Sequence, residues 1–370
     1  MSGNQRLPAA TPHSDIWFPD GNIVIIAGQS AFKVHQGQLG RHSEVFQDLF
    51  LVPQPLDLQS FDGCPWVELY DTPSDVFHLL SALYDGLYLD NPIPDEFPKV
   101  AAVLRLSTKY LIAHLRKRCM QRLQQDWPST LANWDHRERL ATEPAGRYSP
   151  RDYYPHPLLI IDLARELSLP ELLPAAYYDL SRYGPRRIVS GTPTPFPVIR
   201  PPQESDSSKL ESEETTTLLV LKHDDLKLVF QGRESGQRYI AKFIDEQLVS
   251  RPLSADCQNR HVDAGRVCRE SSYYVMLNIL RAVGGISHGR DADPLFTLTQ
   301  VVDMLSRTDF TDGVRQCGLK MCSACKVDLS ECVDKARNEV WDMFPEWFKL
   351  PAWKDSEPEV SEEKGSEVRM

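Results

Sequence analysis

The residues of this 370-residue chain best suited to chemistry are its cysteines. Four of the eight lie between Cys317 and Cys332, in CGLKMCSACKVDLSEC. Cys322 and Cys325 have the two-residue spacing that lets both thiolates reach one metal ion. A tetrahedral structural site takes four thiolate or imidazole ligands, so a second pair must come from elsewhere. Cys257 and Cys268, in SADCQNRHVDAGRVCRE, form the other pair of the C-terminal half. That stretch is polar and contains glycine, which disfavours core packing for its thiols. These residues nominate Cys257, Cys268, Cys322 and Cys325 around one structural zinc ion. His261 could substitute, and Cys317 and Cys332 are read as bystanders. The competing reading is four ordinary thiols on helix-packing surfaces, as Cys64 and Cys119 are read. A redox role for Cys322 and Cys325 would want a strand and a βαβ unit, whereas the neighbourhood patterns as helix.

Other chemical signals are weaker. Gly285-Ile-Ser287-His-Gly289 has the letters of a nucleophile elbow, but SSYYVMLNILRAV before it reads as helix instead of strand. His288 is also the last of the ten histidines, so no triad histidine follows. The chain has no G-x-G-x-x-G, no phosphate loop and no HExxH. His35, at a strand-to-helix junction, reads as a satisfied structural histidine. No catalytic residue, cofactor-binding residue or enzymatic activity is expected.

Composition sets the frame for these sites. Hydrophobic content of 41% and charged content of 25% describe an ordinary globular chain, long enough for two to three domains. A net charge of −11 argues against a sequence-independent grip on nucleic acid. No apolar run approaches the ~18 residues of a membrane span. The first fifteen residues carry no apolar signal-like stretch. The expectation is an intracellular protein, in cytoplasm or nucleus, with reduced thiols.

The elements that must position these residues read as follows. Phe18-Pro-Asp-Gly21 is a turn; the apolar run Ile23 to Ala27, a turn at Gly28-Gln-Ser30 and alternating Ala31 to His35 predict a hairpin. Leu39, Phe46, Leu49 and Phe50 mark a helical face, with Ser43 capping its second half. A short strand from Trp66 to Tyr70 precedes a helix opened by Pro73, and two more helices fit Phe97 to Leu106 and Leu111 to Leu123. Trp134 and Tyr148 suggest an extended segment between Pro128 and Pro157. Everything beyond reads as helix: Pro157 to Leu169, a segment opened by Pro170, Asp224 to Leu248 interrupted at Gly232 and Gly236, Ser271 to Val283, Phe296 to Leu305, and Leu329 to Phe344. The aromatic run from Val340 to Trp353 is read as a last element docking its rings on the body.

The N-terminal residues resemble a BTB/POZ domain. The matching features are Asp15, then Phe32-x-Val34-His35, Leu39 and Ser43-x-x-Phe46, with LLSALYDGLYL (Leu79 to Leu89) similar to the family's third helix. Further on, LARELSLPELLPAAYYDLSRYG, HDDLKLVFQGRE and EVWDMFPEWFKLPAW resemble the BTB proteins of mushroom-forming fungi. In that subgroup two upstream cysteines with a later C-x-x-C also recur. The implied fold is an α+β BTB domain, a small sheet flanked by helices, followed by a mainly helical region. The implied organisation is a disordered N-terminus (1–13), the BTB domain (14–125), a helical extension (126–190), a Pro/Ser/Glu-rich linker (191–217), a helical C-terminal region (218–353) and a disordered acidic tail (354–370). The resemblance implies a structural pair of Asp15 with His35, and a protein-interaction module that homodimerises through its N-terminal strand and first helix. The partner is an unknown protein. A cullin scaffold, with the chain as ubiquitin-ligase adaptor, and a transcriptional role through partners are the alternatives. Tyr88-Leu89-Asp90 carries Asp where cullin binders often carry Glu, which leans against the first. The acidic charge and absent zinc fingers lean against direct DNA contact.

Overall fold

The computed structural model describes residues 9–52, 60–89, 94–193, 218–283, 289–312 and 315–353. They divide into two units: residues up to 127 with 136–156, and residues 128–135, 157–193 and 218–353. Of the 191–217 linker only 191–193 are described, and Thr192 and Pro193 there are strand; the rest of it, the acidic tail, Asp90 and the Gly285–His288 letters of the nucleophile-elbow match lie outside the described residues.

The first unit is built on a four-stranded sheet of order β1-β3-β2-β4: β1 (Thr11–Trp17), β2 (Ile23–Ala27), β3 (Ser30–Val34) and β4 (Trp66–Leu69). β2 and β3 form the expected antiparallel hairpin, in register Ile23↔Val34 to Ala27↔Ser30. The connecting Gly28 has φ +51°, where glycine carries no Cβ penalty. Every residue of β2 is buried, which explains a continuous apolar run where a half-exposed strand would alternate. β4 joins β2 in parallel after a crossover through α1 (Gln36–His42) and α2 (Glu44–Leu51). β1 pairs in parallel with β3 and starts at Thr11, so the residues read as an N-terminal tail lose their last three to the sheet. Backbone pairing with β3 is what a sequence pattern does not announce.

Ser43 splits the first helical stretch as expected: its Oγ accepts the Phe46 N–H at 3.1 Å and donates to the Tyr110 carbonyl at 2.6 Å. Thr72 caps α3 (Pro73–Tyr84), and α4 (Phe97–Lys109) and α5 (Ala113–Asp126) follow. Trp134, expected on an extended segment, instead lies on helix α6 (Leu131–Leu140). Tyr148 is extended, bridged to Thr142.

The second unit contains α7 (Pro157–Glu166), α8 (Leu173–Ser181), α9 (Pro185–Ser190), α10 (His223–Phe243), α11 (Arg260–Asp263), α12 (Arg266–Ile279), α13 (Pro294–Ser306), α14 (Ser323–Asp342) and α15 (Phe344–Trp347). α10 runs into a π-helical turn, Ile244–Val249. Two small antiparallel pairs, β5 (Thr192–Pro193) with β6 (Leu218–Leu219) and β7 (Phe310–Asp312) with β8 (Arg315–Cys317), correct the all-helical expectation. Both are backbone pairings of two or three residues, too short to show a period.

Gly232 and Gly236 do not interrupt α10; they make it fit. A Cβ on Gly232 would lie 1.9 Å from the Phe348 ring, and one on Gly236 would lie 2.9 Å from Pro294 Cγ. The aromatic run docks here: Phe344 and Phe348 are fully buried, and Phe344 stacks on Tyr178 with centroids 4.1 Å apart. Beneath it, Asp293 caps α13, accepts from Arg182 at 2.8 Å and bonds the Tyr178 hydroxyl, while Arg182 also reaches Asp179 at 2.6 Å. Burial, with the Asp293 carboxylate adjacent, drives the Tyr178 hydroxyl well above its ordinary pKa.

Candidate functional site

The four nominated cysteines converge. Cys257 lies in the irregular segment before α11, Cys268 in the first turn of α12, Cys322 at the N-cap of α14 and Cys325 in its first turn. All four are buried, and their sulfurs lie within 4.8 Å of one another. The Cys257–Cys268 and Cys257–Cys322 Sγ separations are both 3.9 Å. A tetrahedron with metal–sulfur bonds of roughly 2.3 Å has corners about 3.8 Å apart, so the cluster is of a size to hold one ion.

The surroundings suit thiolates. The Cys322 N–H donates to Cys268 Sγ at 3.4 Å, and Asn259 Nδ2 donates to the same sulfur at 3.3 Å. The backbone amides of Cys325 and Gln258 serve Cys322, and that of Ser254 serves Cys325. Donors of this kind fix ligand sulfurs and delocalise their charge. Their effect divides the cluster. Burial pushes Cys322 up, but the Cys325 and Gln258 amides and the neighbouring thiols outweigh it and bring that thiol down to about 6. Burial dominates at Cys325, which is pushed up to about 12, and also raises Cys268.

His261 is exposed on α11 and stands outside the cluster. Cys332 turns its sulfur to Gln247 Oε1 at 3.3 Å, and Cys119 is buried on α5. Cys64 directs its thiol to the Gly21 carbonyl at 3.3 Å. The helix start at Cys322 supplies one ingredient of a redox C-x-x-C, but the strands before it form an antiparallel hairpin and no βαβ unit.

In the first unit, Phe32, Leu39 and Phe46 are buried in the core, so these motif residues build the domain and leave little for a partner. His35 is paired, but not with Asp15. Its backbone N–H and Nδ1 meet the Tyr84 hydroxyl at 2.9 and 3.0 Å, and Nε2 lies 3.3 Å from an Asp20 carboxylate oxygen. Asp15 is exposed and accepts from its neighbour Ser14. β1 carries Asp15 along the sheet edge, whereas Asp20 lies in the turn facing the end of β3. Tyr84 ends α3, and its hydroxyl gave no pattern in the chain.

Residues 20–126 match the family model of the BTB/POZ domain, so the first unit carries a BTB domain and the chain is a BTB domain-containing protein. No curated protein matches it. BTB domains are a non-catalytic family of protein-interaction modules. Among the described residues, no helix is long and apolar enough to cross a membrane.

Proposed function

We propose that this chain is a non-enzymatic interaction protein whose BTB domain self-associates and recruits a protein partner, and whose cysteine cluster holds a structural zinc ion. The observation that carries the first part is the BTB match over a sheet whose outer strand, β1, has no further strand on its free edge among the described residues. Such an edge can accept a further strand. Recruitment through the helical region, by an unknown partner, follows from the same reading. The C-terminal motifs support kinship with the BTB proteins of mushroom-forming fungi. Light scattering on the full chain tests self-association: a dimer is expected, and a monomer at micromolar concentration overturns it. Pull-down with a cullin scaffold separates an adaptor from a plain recruiter.

The zinc reading rests on four buried sulfurs at tetrahedral spacing with amide donors around them. Sulfur-only ligation favours zinc over oxygen-seeking cations. Cys257, Cys268, Cys322 and Cys325 would tie the loop before α11 and the start of α12 to the start of α14. Metal analysis of purified protein should find stoichiometric zinc, lost in Cys322→Ser; substoichiometric zinc unchanged by that substitution refutes it.

A further inference from the structure

We infer that the cleft between the end of α10 and α14 binds a short zwitterionic peptide, its ammonium held by Glu246 and Glu331 and its carboxylate by Lys242 and Lys335.

The cleft lies within the C-terminal unit, and the inference does not rest on the zinc reading. Its volume of about 490 Å³ falls within the ~300–1,000 Å³ of small-molecule sites. One wall is made by the last turns of α10, the π-helical turn and Arg251–Pro252; the other is α14 from Asp328 to Glu339. Long side chains span the gap at three levels. The Tyr239 hydroxyl donates to Glu339 at 2.8 Å, the Cys332 thiol to Gln247 at 3.3 Å and Arg251 to Asp328 at 2.5 Å. Buried Phe243 and Ala336 supply apolar surface between these bridges. The π-helical turn, a device that recurs at functional sites, carries Glu246 and Gln247 into the wall.

The placement of charge is what selects the ligand. The three bridges show two walls that run antiparallel. Continuing their register sets Lys242 nearly level with Lys335, and Glu246 nearly level with Glu331, one helical turn of about 5.4 Å further along. All four side chains line the cleft and reach solvent. Lys242 lies 3.8 Å from Glu246 and Lys335 lies 3.9 Å from Glu339, beyond hydrogen-bond distance in both cases. Glu331 has no ion pair among the described residues. Like charges set level across a cleft repel each other unless an opposite charge sits between them. The lysines therefore call for an anion and the glutamates for a cation. A ligand carrying both, about one helical turn apart, answers all four at once.

That separation narrows the class. In a free amino acid the ammonium and carboxylate share one carbon, which is too close. A dipeptide, at no more than ~3.3–3.6 Å per residue, sets its termini at the required distance. The end of a protein chain brings only one of the two charges. An apolar side chain of the dipeptide would rest on Phe243.

The test titrates the full chain with alanyl-phenylalanine in a calorimeter. One site per chain is expected, with a Kd of roughly 0.1–1 mM, an ordinary efficiency for a ligand of this size. Alanine, the N-acetylated dipeptide and the dipeptide amide should each bind at least about tenfold more weakly. Glu331→Gln should weaken the free dipeptide about tenfold while leaving the acetylated form unchanged, and Lys335→Met should do the same with respect to the amide. Both side chains are exposed, so thermal melts matching the parent separate lost binding from lost folding. Absence of saturable heat up to ~10 mM dipeptide overturns the proposal. Equal binding of free and capped peptides by the parent chain overturns it as well, as does parental affinity in Glu331→Gln.

Discussion

At the centre of the BTB unit sits β2, five buried apolar residues with partners on either side and helices over them. At the centre of the C-terminal unit sit Asp293, Arg182, Tyr178 and Asp179, joined by ion pairs and hydrogen bonds, with aromatic rings seated on bare glycines and a cysteine cluster further along. The first arrangement spreads stability over many interchangeable contacts, so single polar changes at its margin cost little. The second concentrates it in a few groups that have no substitute, because a buried charge that loses its partner keeps its desolvation cost.

Substitutions can break that contrast. The largest effect should come from Cys268→Ser, which removes a cluster ligand. A loss above ~4 kcal/mol, the range left for metals and buried networks, is expected for the C-terminal unit. Amide exchange in α12 and α14 should report it while β2 and β3 remain protected. Acidification should act in the same direction, since metal binding needs thiolates and falling pH returns protons to them. Equal loosening of both units would remove the distinction.

Phe348→Ala comes next, at about 3–5 kcal/mol for a fully buried ring. Gly232→Ala probes the same seat from the other side: overpacking of ~1–3 kcal/mol should exceed the helix-propensity gain. Chemical denaturation of both variants checks this, and a stabilised Gly232→Ala would show that the seat is slack.

Ser43→Ala in the BTB unit should cost about 1–2 kcal/mol, since it loses a cap and a buried donor together. Smallest are the margins of the sheet. Tyr84→Phe removes the acceptor of the His35 N–H and should cost about 1 kcal/mol, and Asp15→Ala should stay within ~0.5 kcal/mol. Thermal melts rank the pair; a larger effect at Asp15 would restore it as a structural partner of His35.

How much of this was legible in the chain varied with the range of the interaction. The β2–β3 hairpin, the Ser43 cap and the helix opened by Pro73 are local devices, settled by residues a few positions apart. The four cysteines were legible as a set because a metal site restricts its ligands to very few residue types. Gly232 and Gly236 read as an interruption because the groups that need them, the Phe348 ring and Pro294, lie more than fifty residues away in the chain. Asp15 read as the partner of His35 because family likeness supplied a pairing that this chain makes with Asp20 and Tyr84.

The sequence by itself determined the hairpin of the first sheet, the helical periods that follow and the identity of the four cysteines that converge, since each depends on residue type and short spacing. Only the tertiary structure decided that α14 begins at the cluster, that two distant segments bring their cysteines within 4.8 Å of one another, and that buried tyrosine and arginine share one carboxylate. Those facts depend on which distant segments meet, and that is set by packing of the whole unit.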